Sequence, residues 1–145
     1  MTQTALYSLE LKNDLSELQR MSAWIHRTGE FMGLPGALGS EFDLCANEAV
    51  TNIILYAYED SASHRISVRI RQARDLVDLE VEDDGRPFNP LEFPPPVLTR
   101  SLNEAPLGGR GIHLIRGLMA ECRYQRRDGK NILTMVPRSR TAAGQ

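Results

Sequence analysis

The sequence predicts an α+β fold: a two-layer α/β sandwich in which a mainly antiparallel sheet carries helices on one face. Two observations predict the layers. Segments 15–32 and 40–58 repeat apolar residues at helical spacing, whereas 65–71 with 76–81 and 121–127 with 131–136 read as strand pairs joined by short polar links. A third observation is that the N-terminal stretch 5–11 alternates apolar and polar residues, as a strand with one buried face does. A chain of 145 residues suits one domain spanning 1–145, with 138–145 as a frayed tail.

The elements follow in order. After the first strand, Asn13 or Asp14 can cap a helix from about Leu15 to Met32, with Leu15, Leu18, Met21, Trp24, Ile25 and Phe31 as its apolar positions. Gly33-Leu34-Pro35-Gly36 breaks it. A second helix starts between Pro35 and Ser40 and ends near Glu59. At about 100° per residue, Phe42, Ala46, Ala49, Val50, Ile53, Ile54 and Ala57 share one arc, and Glu48 and Asn52 share the opposite one. In the strand pair that follows, Arg65, Arg69 and Arg71 read as a solvated sheet face rather than a basic patch. Past Val81, Glu82-Asp83-Asp84-Gly85-Arg86-Pro87 is turn chemistry, and prolines 87, 90, 94, 95, 96 and 106 exclude a central strand. A loop of about twenty residues between regular elements reads as a lid, here 86–108. Gly108-Gly109-Arg110-Gly111 then opens an apolar-periodic helix, and Asp128-Gly129 marks the turn of the last hairpin.

Composition narrows the function. A net charge of -2 argues against a dedicated nucleic-acid binder, which normally carries a basic excess. Cys45 and Cys122 form no metal-spaced pair and read as buried free thiols of a reducing compartment. No apolar run is long enough to cross a bilayer, and the N-terminus lacks a secretory pattern, so a cytoplasmic location and no membrane partner are predicted.

Three features carry chemistry. Glu48 and Asn52 stand one helical turn apart and point the same way, so a base and an oxygen ligand for a hard cation could flank one ligand, although any amphipathic helix also offers such a wet face. Glycines at a helix start let phosphate oxygens approach backbone N–H groups, or simply form a turn with a Gly cap. The third feature is the acid-turn-glycine sequence Asp83-Asp84-Gly85 at a strand end.

Their order resembles the histidine-kinase-like ATPase superfamily over about residues 14–137. Glu48-Ala49-Val50-Thr51-Asn52 looks like its N box, Asp83-Asp84-Gly85 its first glycine box, and Gly109-Arg110-Gly111 its second. The wording Glu-Ala-Val-Thr-Asn is similar to that of the anti-sigma-factor serine kinases of bacterial partner-switching systems. The resemblance implies that ATP lies between helix and lid, with Asp83 accepting from the adenine amine and Gly85 letting the adenine edge approach. It implies that Asn52 ligates Mg²⁺, that Gly109, Arg110 and Gly111 cradle the phosphates, and that Glu48 is the base a hydroxyl nucleophile needs, where sensor histidine kinases carry asparagine. Thr134 sits where the family often has a threonine holding adenine through water. Related serine kinases often carry a basic residue where this chain has Leu107; Arg110 either replaces that γ-phosphate contact or points to solvent. His113 reads as a packed or capping histidine, and His26 and His64 lack an acidic neighbour of the sensor-kinase phosphoacceptor type.

The implied function is a protein-serine kinase that sequesters a sigma factor and phosphorylates a STAS-type anti-anti-sigma antagonist, with a homodimer left open as a further partner. A different class, a nucleotide-responsive binding module without phosphotransfer, is the alternative. An ATPase-driven clamp would need a further transducer domain, for which this length has no room.

Overall fold

A computed structural model describes residues 4–92 and 114–138. Five strands form one sheet: β1 (Thr4–Lys12), β2 (Arg65–Ala73), β3 (Leu76–Asp83), β4 (Met119–Arg127) and β5 (Lys130–Pro137), in the order β1-β2-β3-β5-β4. Every neighbouring pair is antiparallel. Two helices, α1 (Leu18–Met32) and α2 (Gly36–Tyr56), cover one face. The α+β sandwich read from the sequence is therefore the observed architecture.

Sheet parity decides which side chains meet the helices. Ile66, Val68 and Ile70 of β2 and Val77, Leu79 and Val81 of β3 alternate inward and are buried against α1 and α2. Each such side chain contributes roughly 1.5–3 kcal/mol of burial. The alternate residues face outward and pair by charge: Arg69 reaches Glu82 at 2.7 Å and Glu80 at 3.2 Å, and Arg71 reaches Asp78 at 3.1 Å. Arg65 reaches Glu10 of β1 at 3.9 Å, so all three arginines stand in cross-strand ion pairs on this face.

The turns show why the boundaries fall where they do. Asp14 is the capping residue, its carboxylate accepting from Ser16 N at 2.9 Å. It starts a 3-10 turn, Leu15–Glu17, that feeds α1 three residues later than the apolar pattern suggests. Leu15 and Phe31, read as apolar positions of this helix, are 49% and 78% exposed. Phe31 lies off the buried face and meets Tyr7 edge-on at 6.0 Å. At the other end Gly33 takes φ 76°, so that its N–H and that of Leu34 close back on Glu30 O and Gly29 O. The β2–β3 link is tighter than its polar run: Gln72 and Ala73 stay in the strand and Arg74, at φ 61°, makes the turn with Asp75. Asp128 and Gly129 both have positive φ, as the expected hairpin turn demands.

Helix α2 is buried along most of its length. Leu38, Phe42, Cys45, Ala46, Ala49, Val50 and Ile53 fill the core, and burial pushes the Cys45 thiol up to about 12. Cys122 is only half-buried, and both cysteines are free. The helix stops at Tyr56, with Ala57 N closing on Ile53 O, rather than at Glu59. Of the helix expected after the glycine cluster, residues 114–118 are described, and Ile115 is fully buried. Among the described residues no helix is long and apolar enough to cross a membrane.

Candidate nucleotide site

Ala49, Asn52 and Ile53 of α2 face Val81 and Asp83 at the end of β3 and Asn131 and Leu133 of β5 across a small cavity. Phe88 and Pro90, from the strap that follows β3, close it, and Tyr124 of β4 and Ile115 complete the wall. The lining is mainly apolar with three convergent polar side chains, the composition that positions a heterocycle and reads its edge.

Asp83 is 4% exposed and is the one buried carboxylate among the described residues. Its Oδ1 accepts from Gly85 N at 2.8 Å and from Asn131 Nδ2 at 3.0 Å, so Oδ2 remains for a ligand donor. Burial pushes this carboxyl above its ordinary value, against the pull of those two hydrogen bonds. An acceptor held in an apolar cavity suits an exocyclic amine.

Asn52 was placed on the wet arc of α2, yet it is 4% exposed and lines the cavity, with Nδ2 lacking a hydrogen-bond partner. An orphan buried amide costs free energy unless something fills its place. A half-turn of the amide presents its oxygen to the same space. No three His, Cys, Asp or Glu side chains stand together as a metal site among the described residues. The Asn52 oxygen could supply one ligand to a hard cation such as Mg²⁺, whose other ligands would be phosphate and water. Glu48, one turn earlier, is half-buried and does not line the cavity. It stands about 6 Å back along the helix axis, toward the N-terminus of α2 and away from the end at Ala57 on which the Asp83–Gly85 turn is pressed.

Gly85 has a packing reason to be glycine at this turn. A Cβ there would stand 2.6 Å from both the Cβ and the carbonyl oxygen of Ala57, so the turn after β3 is pressed against the end of α2. Arg86 N bonds Ala57 O at 3.0 Å, and Arg86 Nε bonds Tyr56 O at 3.0 Å. We expect Gly85→Ala to lower stability by about 1–3 kcal/mol, because backbone must move to admit the methyl. A shift of the urea midpoint to lower concentration at unchanged slope is the check.

The same turn is braced from outside. Tyr58 stacks on His64 with ring centroids 4.0 Å apart and donates to Asp84 Oδ1 at 3.2 Å. His64 Nε2 lies 2.7 Å from Asp60, whose carboxylate raises the imidazole pKa, with Asp84 3.5 Å from the other ring nitrogen. His26 also meets a carboxylate through space, Asp43 at 3.1 Å. The sequence hid both because neither acid of each pair is adjacent to its histidine along the chain.

Two residues change places relative to expectation. Thr134 pairs with Glu80, and in this register Glu80 and Glu82 face outward while Val81 and Asp83 face the helices. Its side chain therefore stands on the far side of the sheet from the cavity. Asn131, opposite Asp83, occupies the inward position and was not singled out from the sequence. Its amide makes four hydrogen bonds: Nδ2 donates to Asp83 Oδ1 and to Arg86 O at 2.8 Å, while Oδ1 accepts from Phe88 N at 3.2 Å and from the Tyr124 hydroxyl. Gly109, Arg110 and Gly111, most of the lid 86–108, and His113 lie outside the described residues.

Comparison with known proteins identifies the family. The family described as histidine kinase-like ATPase domain matches residues 11–136. Serine/threonine-protein kinase BtrW of Bordetella bronchiseptica is 41% identical over 96 residues, 66% of this chain and 68% of that protein. Serine-protein kinase RsbW of Bacillus subtilis is 24% identical over 110 residues, 69% of each chain. In the crystal structure of the RsbU and RsbW domains of a Mycobacterium tuberculosis protein, the likeness covers 94% of this chain and 32% of that one, with a TM-score of 0.64 at 13% identity. That last likeness concerns the fold alone. With this match over residues 11–136, the chain belongs to the histidine kinase-like ATPase domain family.

Proposed function

We propose that this protein is an ATP-dependent protein-serine kinase of the partner-switching type. It binds ATP with Mg²⁺, sequesters a sigma factor, and phosphorylates a STAS-type anti-anti-sigma antagonist on serine. The observation that carries the reading is the buried, unpartnered amide of Asn52, which opens on the same cavity as the Asp83 carboxylate, with Glu48 one turn away. The names of the relatives, serine/threonine-protein kinase and serine-protein kinase, support the choice of acceptor.

Each residue then has a task. Asp83 Oδ2 accepts from the adenine amine, and Asn52 holds one position on the metal. A Mg²⁺ ion held there through Asn52 would supply neutralisation of the charge that develops in transfer. Glu48 takes the proton of the acceptor serine, since a hydroxyl at neutral pH is a poor nucleophile. Gly109, Arg110 and Gly111 hold the phosphates at the helix start, and the lid 86–108 folds over them. The partners are proteins and the setting cytoplasmic, with one domain over 1–145; homodimerisation is the remaining partner choice.

Asn52→Ala tests the metal role. Mg²⁺-dependent nucleotide affinity and phosphotransfer should fall together, by about tenfold or more for a lost contact to a charged group. Titration calorimetry with Mg²⁺ and with chelator separates the two contributions. An unchanged difference between those conditions would take Asn52 off the metal.

A further inference from the structure

The cavity has room for about 20 Å³, enough for one water and for no purine. Phe88 and Pro90 form the part of its wall that comes from the strap after β3. The turn before them is fixed: Gly85 is wedged on Ala57, Arg86 is bonded to the end of α2, and Arg126 Nη1 donates to Gly85 O at 2.8 Å. Opening must therefore occur beyond Arg86. There the strap is tied by Phe88 N to Asn131 Oδ1, the same amide that donates to Asp83.

We propose that Asn131 is a positioning residue that couples base recognition to the strap, its nitrogen aiming Asp83 and its oxygen latching Phe88 over the cavity. The inference rests on the nucleotide-site reading above. Two properties make the amide suited to it. Asn131 is 5% exposed and all four of its hydrogen-bonding positions are used, so its orientation is fixed from both ends. It also separates the tasks chemically, because the donors serve Asp83 and the carbonyl of Arg86 while the acceptor serves the N–H of Phe88 and the Tyr124 hydroxyl. A base that enters must break the Phe88 tie, and a base that stays needs Asp83 held in place. Entry and retention thus depend on opposite ends of one side chain.

Two variants divide the ends. Asn131→Leu has a similar bulk and makes none of the four bonds. Asn131→Asp keeps acceptors for Phe88 N and Tyr124 but sets a second carboxyl against Asp83, so that the two share a proton or repel and Asp83 is no longer held as a free acceptor. The probe is N-methylanthraniloyl-ADP with Mg²⁺ in stopped flow, with ADP as competitor. In the parent the observed binding rate should level off with concentration, at the opening rate of the strap. Asn131→Asp should keep that plateau while affinity falls about tenfold to a hundredfold through faster release, since Asp83 loses a bond made to a charged group. Asn131→Leu should raise or abolish the plateau and also release faster. A residue that merely stabilised the fold would shift the melting temperature without moving the plateau. If Asn131→Leu fails to fold, Asn131→Asp decides alone: parental release rates would overturn the proposal. A parent whose rate stays linear in concentration would overturn the latch while leaving the nucleotide site intact, and a parent that binds no nucleotide would overturn both.

Discussion

Glu48→Gln should lower phosphotransfer by about 10²–10⁴-fold and leave ATP binding unchanged. The substitution preserves the size of the side chain and the helix that carries it, and removes only the ability to take a proton. Glu48 is half-buried on α2 and does not line the cavity that holds Asp83, so the adenine end of a nucleotide does not depend on it. Its place one turn before Asn52 sets it toward the end where phosphate and acceptor would meet. Single-turnover transfer beside a binding titration measures the two quantities separately. A loss of affinity equal to the loss of rate would mean that Glu48 binds nucleotide rather than serving as base.

Asp83→Asn should weaken ATP and ADP alike, by roughly 1.5–3 kcal/mol, the range for a hydrogen bond to a charged group. The geometry makes this isosteric change severe. Gly85 N and Asn131 Nδ2 both donate to Oδ1, so an asparagine must keep its carbonyl oxygen there. Its NH₂ group then faces the cavity, donor against the adenine amine. Because the base is common to both nucleotides, calorimetry should give the same deficit for each. Affinities equal to those of the parent would remove Asp83 from the site.

Much of this site is legible in the order of residues, because its parts are local. A helical arc singles out Asn52, which lines the cavity, together with Glu48, which does not, and an acid with a glycine two residues later marks the turn after β3. What resists reading is set by pairing across the sheet. Asn131 and Thr134 are three apart on β5, hence on opposite faces. Only the register with β3 says which one shares a face with Asp83, and β3 and β5 are separated by some forty-five residues of chain. One local sign was present: asparagine is disfavoured within strands, so one standing there usually has a polar task. The burial of Asn52 escaped for a related reason. The arc opposite an apolar face is wet only if nothing packs on it, and here Asp83 and the strap at 86–92 come from the far side of the cavity. Gly85 was legible as a glycine needing space, but its neighbour Ala57 belongs to another element.

The central claim is that the protein transfers phosphate to a protein serine rather than only sensing nucleotide. The most direct measurement is transfer of radiolabelled γ-phosphate from ATP, with Mg²⁺, to the STAS-type antagonist it recognises, followed by mapping of the modified residue. The account predicts label on a serine of the antagonist, abolished by chelator and reduced by about 10²–10⁴-fold in Glu48→Gln. Absence of label, with nucleotide exchange still releasing the bound partner, would contradict it and leave a binding module in its place.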